Sequence, residues 1–366
     1  MQNKIPPLSR RNFCKKSASL LASTVIATEL SGDPDNKLLP LQLGFDNFSI
    51  RALGWKAPKL LDYARSQNLN TVLFSDLDVY ETLDSSYLNE IKKEAENCGI
   101  TIQTGTGGIC PTSKKFKNNY GTATEHLNLI IRVAKNVGST VARCYLGSMQ
   151  DRKEKGGIRR HMESTLKVLN QCKKNAMDSG VCIAVENHAG DLHSRELVEL
   201  IERAGTNFVG ATLDSGNATW TLEHPVDALR NLAPYAVSSG IRDSMVWKSE
   251  KGVRVQWTAM GEGCVNLDKF FREWKSLCPS LPLQLEIISG FSKEFPYLEE
   301  KFWDPYSTIS ARDFSRFLTL SEKGKSIDPF RAPQGIDKLK AQQEFQLTEL
   351  ERSISFCRKK LLAKLQ

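Results

Sequence analysis

Eight short apolar runs separated by amphipathic helical patterns predict an α/β fold, a (β/α)8 barrel with a long C-terminal amphipathic helix. Three observations carry that expectation. The runs recur at intervals of roughly 25–45 residues, the spacing of strand–helix units in a parallel sheet. Three of the runs end abruptly in an acid: Ile183-Ala184-Val185-Glu186, Ala211-Thr212-Leu213-Asp214 and Pro282-Leu283-Gln284-Leu285-Glu286. The chain of 366 residues is long enough for one such barrel with additions.

Strand-like runs fall at about 41–46, 71–75, 100–104, 140–146, 181–187, 208–214, 236–242 and 282–288. They are apolar almost throughout rather than alternating, as strands covered on both faces are. Helical patterns lie between them, over 58–67, 86–97, 122–136, 157–179, 194–204, 225–232 and 267–277. The barrel is expected to span 38–320, with 321–366 as a C-terminal extension. Residues 243–263, which hold Trp247, Trp257 and Gly261-Glu262-Gly263, form a loop after the seventh strand, on the face where barrel sites form. Gly105-Thr106-Gly107-Gly108 after the third strand reads as a simple turn. Residues 291–335, rich in Phe, Tyr, Trp and Pro, are expected to wrap the barrel. The tail from 336 to 365 reads as one helix, on which Leu347, Leu350, Ile354, Cys357 and Leu361 make an apolar stripe. That stripe packs against its own barrel or, alternatively, against a second copy in a homo-oligomer.

Apolar content of 40 % and charged content of 25 % fit an ordinary globular domain. Formal net charge is +8, and residues 1–32 supply half of it, with Lys4, Arg10, Arg11, Lys15 and Lys16 against Glu29. No basic block interleaved with aromatics remains, so no nucleic-acid partner is expected. Ser9-Arg10-Arg11-Asn12-Phe13 matches a twin-arginine export signal, and the apolar run from Ala18 to Ala27 is too short to span a bilayer. Residues 1–32 are therefore expected to be a signal peptide, cleaved near Val25-Ile26-Ala27. The exported protein is then periplasmic, with no stable membrane association. Nine cysteines are scattered without Cys-x-x-Cys or zinc-ligand spacing, and Cys144 and Cys182 fall within strands as buried thiols.

Alternation along a strand points Glu186 and His188 the same way, together with Cys182 and Ala184. The same parity turns Thr212 and Asp214 inward on strand six, and Gln284 and Glu286 inward on strand eight. Three carboxylates then converge in one confined space, where like charges raise one another's pKa unless a cation neutralises them. A divalent ion with oxygen ligands, Mn²⁺ or Mg²⁺ ahead of Co²⁺ or Zn²⁺, is the simplest resolution.

This pattern resembles the xylose isomerase-like TIM barrels, over about residues 40–320. That superfamily includes sugar isomerases and epimerases, hydroxypyruvate isomerase, inosose dehydratase and family 2 AP endonucleases. Glu186-Asn187-His188 and Gly261-Glu262-Gly263 are similar to its motifs as well. The resemblance implies Glu186, Asp214 and Glu286 as metal ligands, the two glutamates as the acid/base pair beside a sugar carbonyl, and His188 as a substrate contact. One departure stands out. Where many members carry His-x-Lys-Asp at strand seven, and use that His as the remaining ligand, this chain has Gly240-Ile241-Arg242-Asp243. Gln256 is the candidate substitute ligand. Arg242 suits a substrate carboxylate or enediolate, and Arg143, near the end of strand four, suits the same task. Asn217 and Trp257 complete the candidate substrate-binding set.

Four functions follow from these residues. The first is a divalent-metal-dependent sugar isomerase or epimerase, with a small carbohydrate as substrate. The second is a lyase or decarboxylase acting on a keto-sugar or sugar acid, and the third a non-catalytic sugar-binding barrel. The fourth, an AP endonuclease, needs many histidines for its three-zinc site, and the chain has 5.

Overall fold

A computed structural model describes residues 42–362. The signal segment expected over 1–32 lies outside the described residues. Eight parallel strands form the barrel: β1 (Leu43–Asp46), β2 (Thr71–Phe74), β3 (Thr101–Gly108), β4 (Val141–Tyr145), β5 (Cys182–Glu186), β6 (Val209–Asp214), β7 (Ala236–Gly240) and, after an excursion, β10 (Leu283–Leu285). Their order is β10-β1-β2-β3-β4-β5-β6-β7. A parallel bridge between Ile241 and Leu285 brings the first and last together, with Ile241 N–H donating to the Gln284 carbonyl at 2.7 Å. The result is a nearly closed (β/α)8 barrel, as the spacing predicts.

The ring of helices comprises α1 (Ala57–Ser66), α2 (Ser85–Asn97), α3 (Ala123–Val137), α4 (Gly157–Ser179), α5 (Ser194–Ala204), the short α6 (Ser215–Thr219), α7 (Pro225–Leu232) and α8 (Leu267–Leu277). Their starts follow local chemistry. Thr122 and Glu125 make a reciprocal capping box at α3, His193 and Glu196 make another at α5, and Asp214 caps α6 by accepting from Asn217 N–H at 2.7 Å. One face of each longer helix packs its apolar side chains on the sheet. Leu60, Leu61, Ile130, Ile131, Leu200, Ile201, Leu229, Phe270 and Trp274 are all essentially inaccessible.

The barrel interior is polar beneath the strand ends. Gln284 reaches across to donate to Thr71 Oγ1 at 2.8 Å, and Ser238 donates to Gln103 Oε1 at 2.7 Å. A Cβ at Gly44 would lie 2.5 Å from Gln284 Oε1, so the bare backbone there makes room for the crossing amide.

Two segments depart from expectation. β3 runs on through Gly105-Thr106-Gly107-Gly108, which the sequence presents as a turn. A Cβ at Gly105 would come within 2.8 Å of Arg143 Cβ, and one at Gly108 within 3.1 Å of the Tyr145 ring. The glycines therefore let two large side chains of β4 lie over a continuing strand. The segment after β7 is likewise more ordered than a loop. It folds into a hairpin, β8 (Asp243–Ser249) and β9 (Gly252–Thr258), which a third strand from later in the chain, β11 (Ser292–Phe295), extends into a three-stranded antiparallel sheet. Gly261-Glu262-Gly263 curls around the buried Asp243 carboxylate, which accepts from Gly261 N–H at 3.2 Å and Gly263 N–H at 3.0 Å.

After α9 (Ala311–Leu318) the chain ends in the long helix α10 (Lys338–Leu362). Its stripe is spent within the chain: Leu350, Ile354 and Cys357 are buried in the common core. Side-chain bonds fix the helix to the first barrel unit, with Gln343 donating to Ala52 O and Gln346 accepting from Ala52 N–H, each at 2.9 Å.

Candidate active site

Strand ends deliver the site. Glu186 and Asp214 are the last residues of β5 and β6, and Glu286 follows β10 directly. Pairing sets Glu186 beside Tyr145 of β4, and Asp214 beside Gly240 of β7. One oxygen from each of the three carboxylates lies within 4.8 Å of the other two, all three residues being buried.

Two guanidiniums hold these acids. Arg143 donates from Nε to Glu186 Oε2 at 2.5 Å, closes a second bond to the same oxygen from Nη2, and donates from Nη1 to the Thr106 carbonyl at 3.1 Å. Arg242 donates from Nη2 to both Asp214 Oδ2 and Glu286 Oε2, the latter at 2.8 Å. Its guanidinium lies over the Trp257 ring, 4.5 Å from the centroid, and that indole is anchored by donating to the Gly216 carbonyl at 3.0 Å. Trp257 in turn stacks on Trp220 at 4.3 Å, with the half-exposed Phe291 beside both.

Asn217 donates from Nδ2 to Glu186 Oε1 at 3.0 Å, which covers the second oxygen of that acid. Asn187 turns the other way and clasps the main chain of Asp214 at 2.8 and 2.9 Å, tying the ends of β5 and β6 together. His188 stacks on Tyr145, with ring centroids 3.7 Å apart. Its Nδ1 lies 2.8 Å from the Gly147 carbonyl, so Nδ1 carries the proton and Nε2 is the acceptor. Asp191 secures that corner by accepting from His188 N–H at 2.8 Å and Gly147 N–H at 2.9 Å.

Asp46, at the end of β1, joins the cluster electrostatically. Its Oδ1 accepts from Ser75 Oγ at 2.6 Å and Phe48 N–H at 2.8 Å, while Oδ2 is buried without a partner. Four buried carboxylates thus face two guanidiniums. Burial, with Glu286 adding to it, pushes Asp46 up to about 7. Burial does the same to Asp214, against the pull of Arg242, also to about 7. Glu186 is raised by burial more than Arg143 lowers it. Despite burial, Glu286 is held below its ordinary value by Arg242 and then Arg143. Burial thus favours the protonated form at Asp46, Asp214 and Glu186, whereas the two guanidiniums favour the carboxylate at Glu286. His188 is driven down to about 3 by burial and by Arg143, so it is a neutral imidazole.

The donor set is suited to a cation, and a cation is in it. The oxygens of Glu186, Asp214 and Glu286 are close enough to share one ion. Arg242 Nη2 already sits between Asp214 and Glu286, bonded to both. Gln256 is not brought to this point. Trp257 faces Arg242, so its neighbour on β9 faces away, and the Gln256 amide reaches the Asp328 carbonyl at 3.3 Å. Gly240 presents no side chain. As arranged, the residues fit a guanidinium better than a divalent ion.

The fold thus gathers Glu186, Asp214, Glu286, Arg242, Arg143, His188, Asn217 and Trp257 and leaves Gln256 outside. Sequence reasoning passed over Asp46, Tyr145 and Asp191, and gave Asn187 no role although it stands in the Glu186-Asn187-His188 motif. Asp46 carried the same signal as the others, an acid closing the apolar run from Leu43. Tyr145 and Asp191 carried none, because their part depends on how the loops after β4 and β5 meet. Three other histidines lie outside this cluster: His193 caps α5, His224 caps α7, and His126 bonds Thr106 at 2.6 Å. Cys144 and Cys182 are buried as expected, and burial pushes the Cys144 thiol up to about 12.

Comparison with known proteins agrees with this architecture. A family profile described as xylose isomerase-like TIM barrel matches residues 61–287. The uncharacterized protein YihM of Escherichia coli (strain K12) is 24 % identical over 208 residues, or 56 % of this chain and 58 % of that protein, so the match spans little more than half of that relative. Among solved structures, D-psicose 3-epimerase from Clostridium cellulolyticum H10, determined with D-tagatose, is 13 % identical with a TM-score of 0.56, covering 88 % of this chain and 100 % of that one. An L-ribulose 3-epimerase is 15 % identical with a TM-score of 0.54, covering 89 % and 99 %. The IOLI protein, solved with a zinc atom, is 14 % identical with a TM-score of 0.53, covering 78 % and 100 %. At such identities the likeness is one of fold.

Proposed function

The chain belongs to the xylose isomerase-like TIM barrel family, and from that premise we propose that it is a carbohydrate enzyme moving a proton on a carbon next to a sugar carbonyl, as an epimerase or isomerase does. The observation that supports this most is geometric: Glu186 and Glu286, at the ends of β5 and β10, bring carboxylate oxygens within 4.8 Å of each other in one buried cluster, each bonded to a guanidinium. Two carboxyls placed so close to one point are suited to act as acid and base on one substrate carbon. The sugar epimerases among the structural neighbours support the same class of chemistry.

In this reading Glu286, ionised, takes the proton from carbon. The C–H electron pair becomes the C=C bond of an enediolate, and the carbonyl pair moves onto oxygen. The buried Arg242 and Arg143 stabilise that oxygen's charge. Glu186 returns a proton, to the opposite face of the same carbon or to its neighbour. His188 accepts a substrate hydroxyl at Nε2, and the Trp257 ring lines the sugar's apolar face.

The substrate in this reading is a neutral keto-sugar rather than a sugar acid. Both guanidiniums are already bonded to carboxylates of the chain, and a substrate carboxylate would have to compete with Glu186, Asp214 and Glu286 for them. The lyase alternative shares the proton removal and differs only in what leaves afterwards. The metal-dependent form of the reading, with Mn²⁺ or Mg²⁺, requires Arg242 to withdraw from between Asp214 and Glu286. We propose also that residues 1–32 direct export to the periplasm.

The test is solvent exchange. Ketoses and keto-glycosides incubated with the protein in D₂O should gain deuterium at the carbon beside the carbonyl, read by proton NMR. Glu286→Gln, which keeps the shape and removes the base, should slow that exchange by about 10²–10⁴-fold. Exchange at the wild-type rate in this variant would remove Glu286 as the base. A panel that gains no deuterium with wild-type protein would count against proton transfer altogether.

A further inference from the structure

We infer that the guanidinium of Arg242 is the resident cation of this site, standing permanently where the fold would otherwise hold a divalent ion, and that the site therefore takes up no divalent metal. The inference goes beyond the proposed reaction and does not depend on it.

Position is the first argument. A divalent ion bridging Asp214 Oδ2 and Glu286 Oε2 would sit about 2.0–2.6 Å from each oxygen. Arg242 Nη2 occupies that place, bonded to the same two oxygens. An ion and this nitrogen cannot both be there.

The surroundings are shaped for the side chain, which makes a chance swing of a long arginine a poor account. Its main chain is pinned by Ser215, whose hydroxyl donates to Arg242 O at 2.7 Å and accepts from Arg242 N–H at 3.0 Å. Its stem runs over Gly216, where a Cβ would collide with Arg242 Cγ and lie 2.5 Å from Cδ and 2.8 Å from Nε. Gly240, the position that the resemblance gives to an imidazole ligand, has the complementary property. A Cβ there would lie 2.9 Å from Glu286 Oε2 and 3.0 Å from Asp214 Oδ2, so a side chain would press on the two oxygens that Arg242 bridges. Trp257 covers the guanidinium face. Two glycines, a serine and an indole thus serve one guanidinium, and Arg242 is only 2 % exposed.

The remaining negative charge does not call for an ion. Arg143 is bonded to Glu186, and Arg242 to Asp214 and Glu286, so each of the three carboxylates that would hold an ion already has a cation beside it. Arg242 Nε and Nη1 are buried without partners. A guanidinium with two unpartnered nitrogens can donate to a ligand oxygen without giving up either acid, whereas an ion would have to find new ligands.

The experiment is metal analysis of the full-length protein purified without chelator, then dialysed against Mn²⁺, Mg²⁺, Co²⁺ or Zn²⁺, with thermal unfolding in each ion and in EDTA. The expected result is no stoichiometric ion lost on Asp214→Asn and no shift in Tm that depends on Asp214. About one equivalent per chain that disappears in Asp214→Asn would overturn the inference. A second cluster, Asp151, Glu154 and His161, is also close enough to hold an ion. Metal that survives Asp214→Asn but is lost in His161→Ala would sit there and leave the inference standing. Arg242→Ala supplies the converse. With the guanidinium gone, saturating Mn²⁺ or Zn²⁺ should raise the variant's Tm by roughly 4 °C or more, a shift wild type does not show. Equal shifts in both proteins that vanish with Asp214→Asn would overturn the inference. If Arg242→Ala does not fold, the wild-type and Asp214→Asn measurements decide alone. None of these readouts uses turnover, so a failed substrate search leaves the result unaffected.

Discussion

His188 illustrates how a residue's chemistry is set by what it touches. Its ordinary pKa of 6.5 would make it a switch at physiological pH, but burial and Arg143 drive it down to about 3. Between those two values the unfolded chain binds a proton at this imidazole that the folded chain refuses. By linkage, its contribution to stability falls as pH drops from about 6.5 towards 3. Imidazole nitrogen shifts in ¹⁵N NMR should therefore stay those of the neutral Nδ1–H tautomer from pH 5 to 8, and titration within that range would show that the ring is not desolvated. In unfolding experiments wild type should lose stability between pH 7 and pH 5 more steeply than His188→Gln does. The residue's inward direction follows from counting by two along β5. The stacked Tyr145 and the Gly147 carbonyl that choose its tautomer come from another strand end.

Elements show the same division. Each of the seven helical patterns between the strands becomes a helix within a residue or so of its expected bounds, because helix period and capping are local properties. β3 overruns its expected end because its glycines answer to Arg143 and Tyr145 on the next strand, a reason absent from the local sequence. The β8–β9 hairpin is hidden for a similar cause: β11, its third strand, comes from beyond β10, and the pairing is long-range. Helix α10 was legible as a helix, but its partner was not. Leu350, fully buried in the chain's own core, should lose about 2–5 kcal/mol of stability when changed to Ala, measured by denaturant unfolding. A midpoint that moves with protein concentration would mean instead that the stripe also meets a second copy.

For the whole molecule, the twin-arginine segment makes a prediction about location. Arg10→Lys with Arg11→Lys should keep the protein out of the periplasm, checked by fractionation, and normal export of that double variant would dismiss the signal. The barrel itself was readable from the chain because a parallel sheet covered on both faces demands apolar runs at regular spacing, and because alternation fixes which side chains enter it. The convergence of Glu186, Asp214 and Glu286 followed from the same parity. The cation among them did not. Arg242 could be placed near the acids by position, yet its bridge between Asp214 and Glu286 needs Gly216 beneath it, Trp257 over it and Gly240 across from it. Those residues come from α6, the hairpin and β7, and no spacing along the chain relates them. Periodicity and burial are written residue by residue, whereas which charge neutralises which is settled only by distances between segments that the folded barrel brings together.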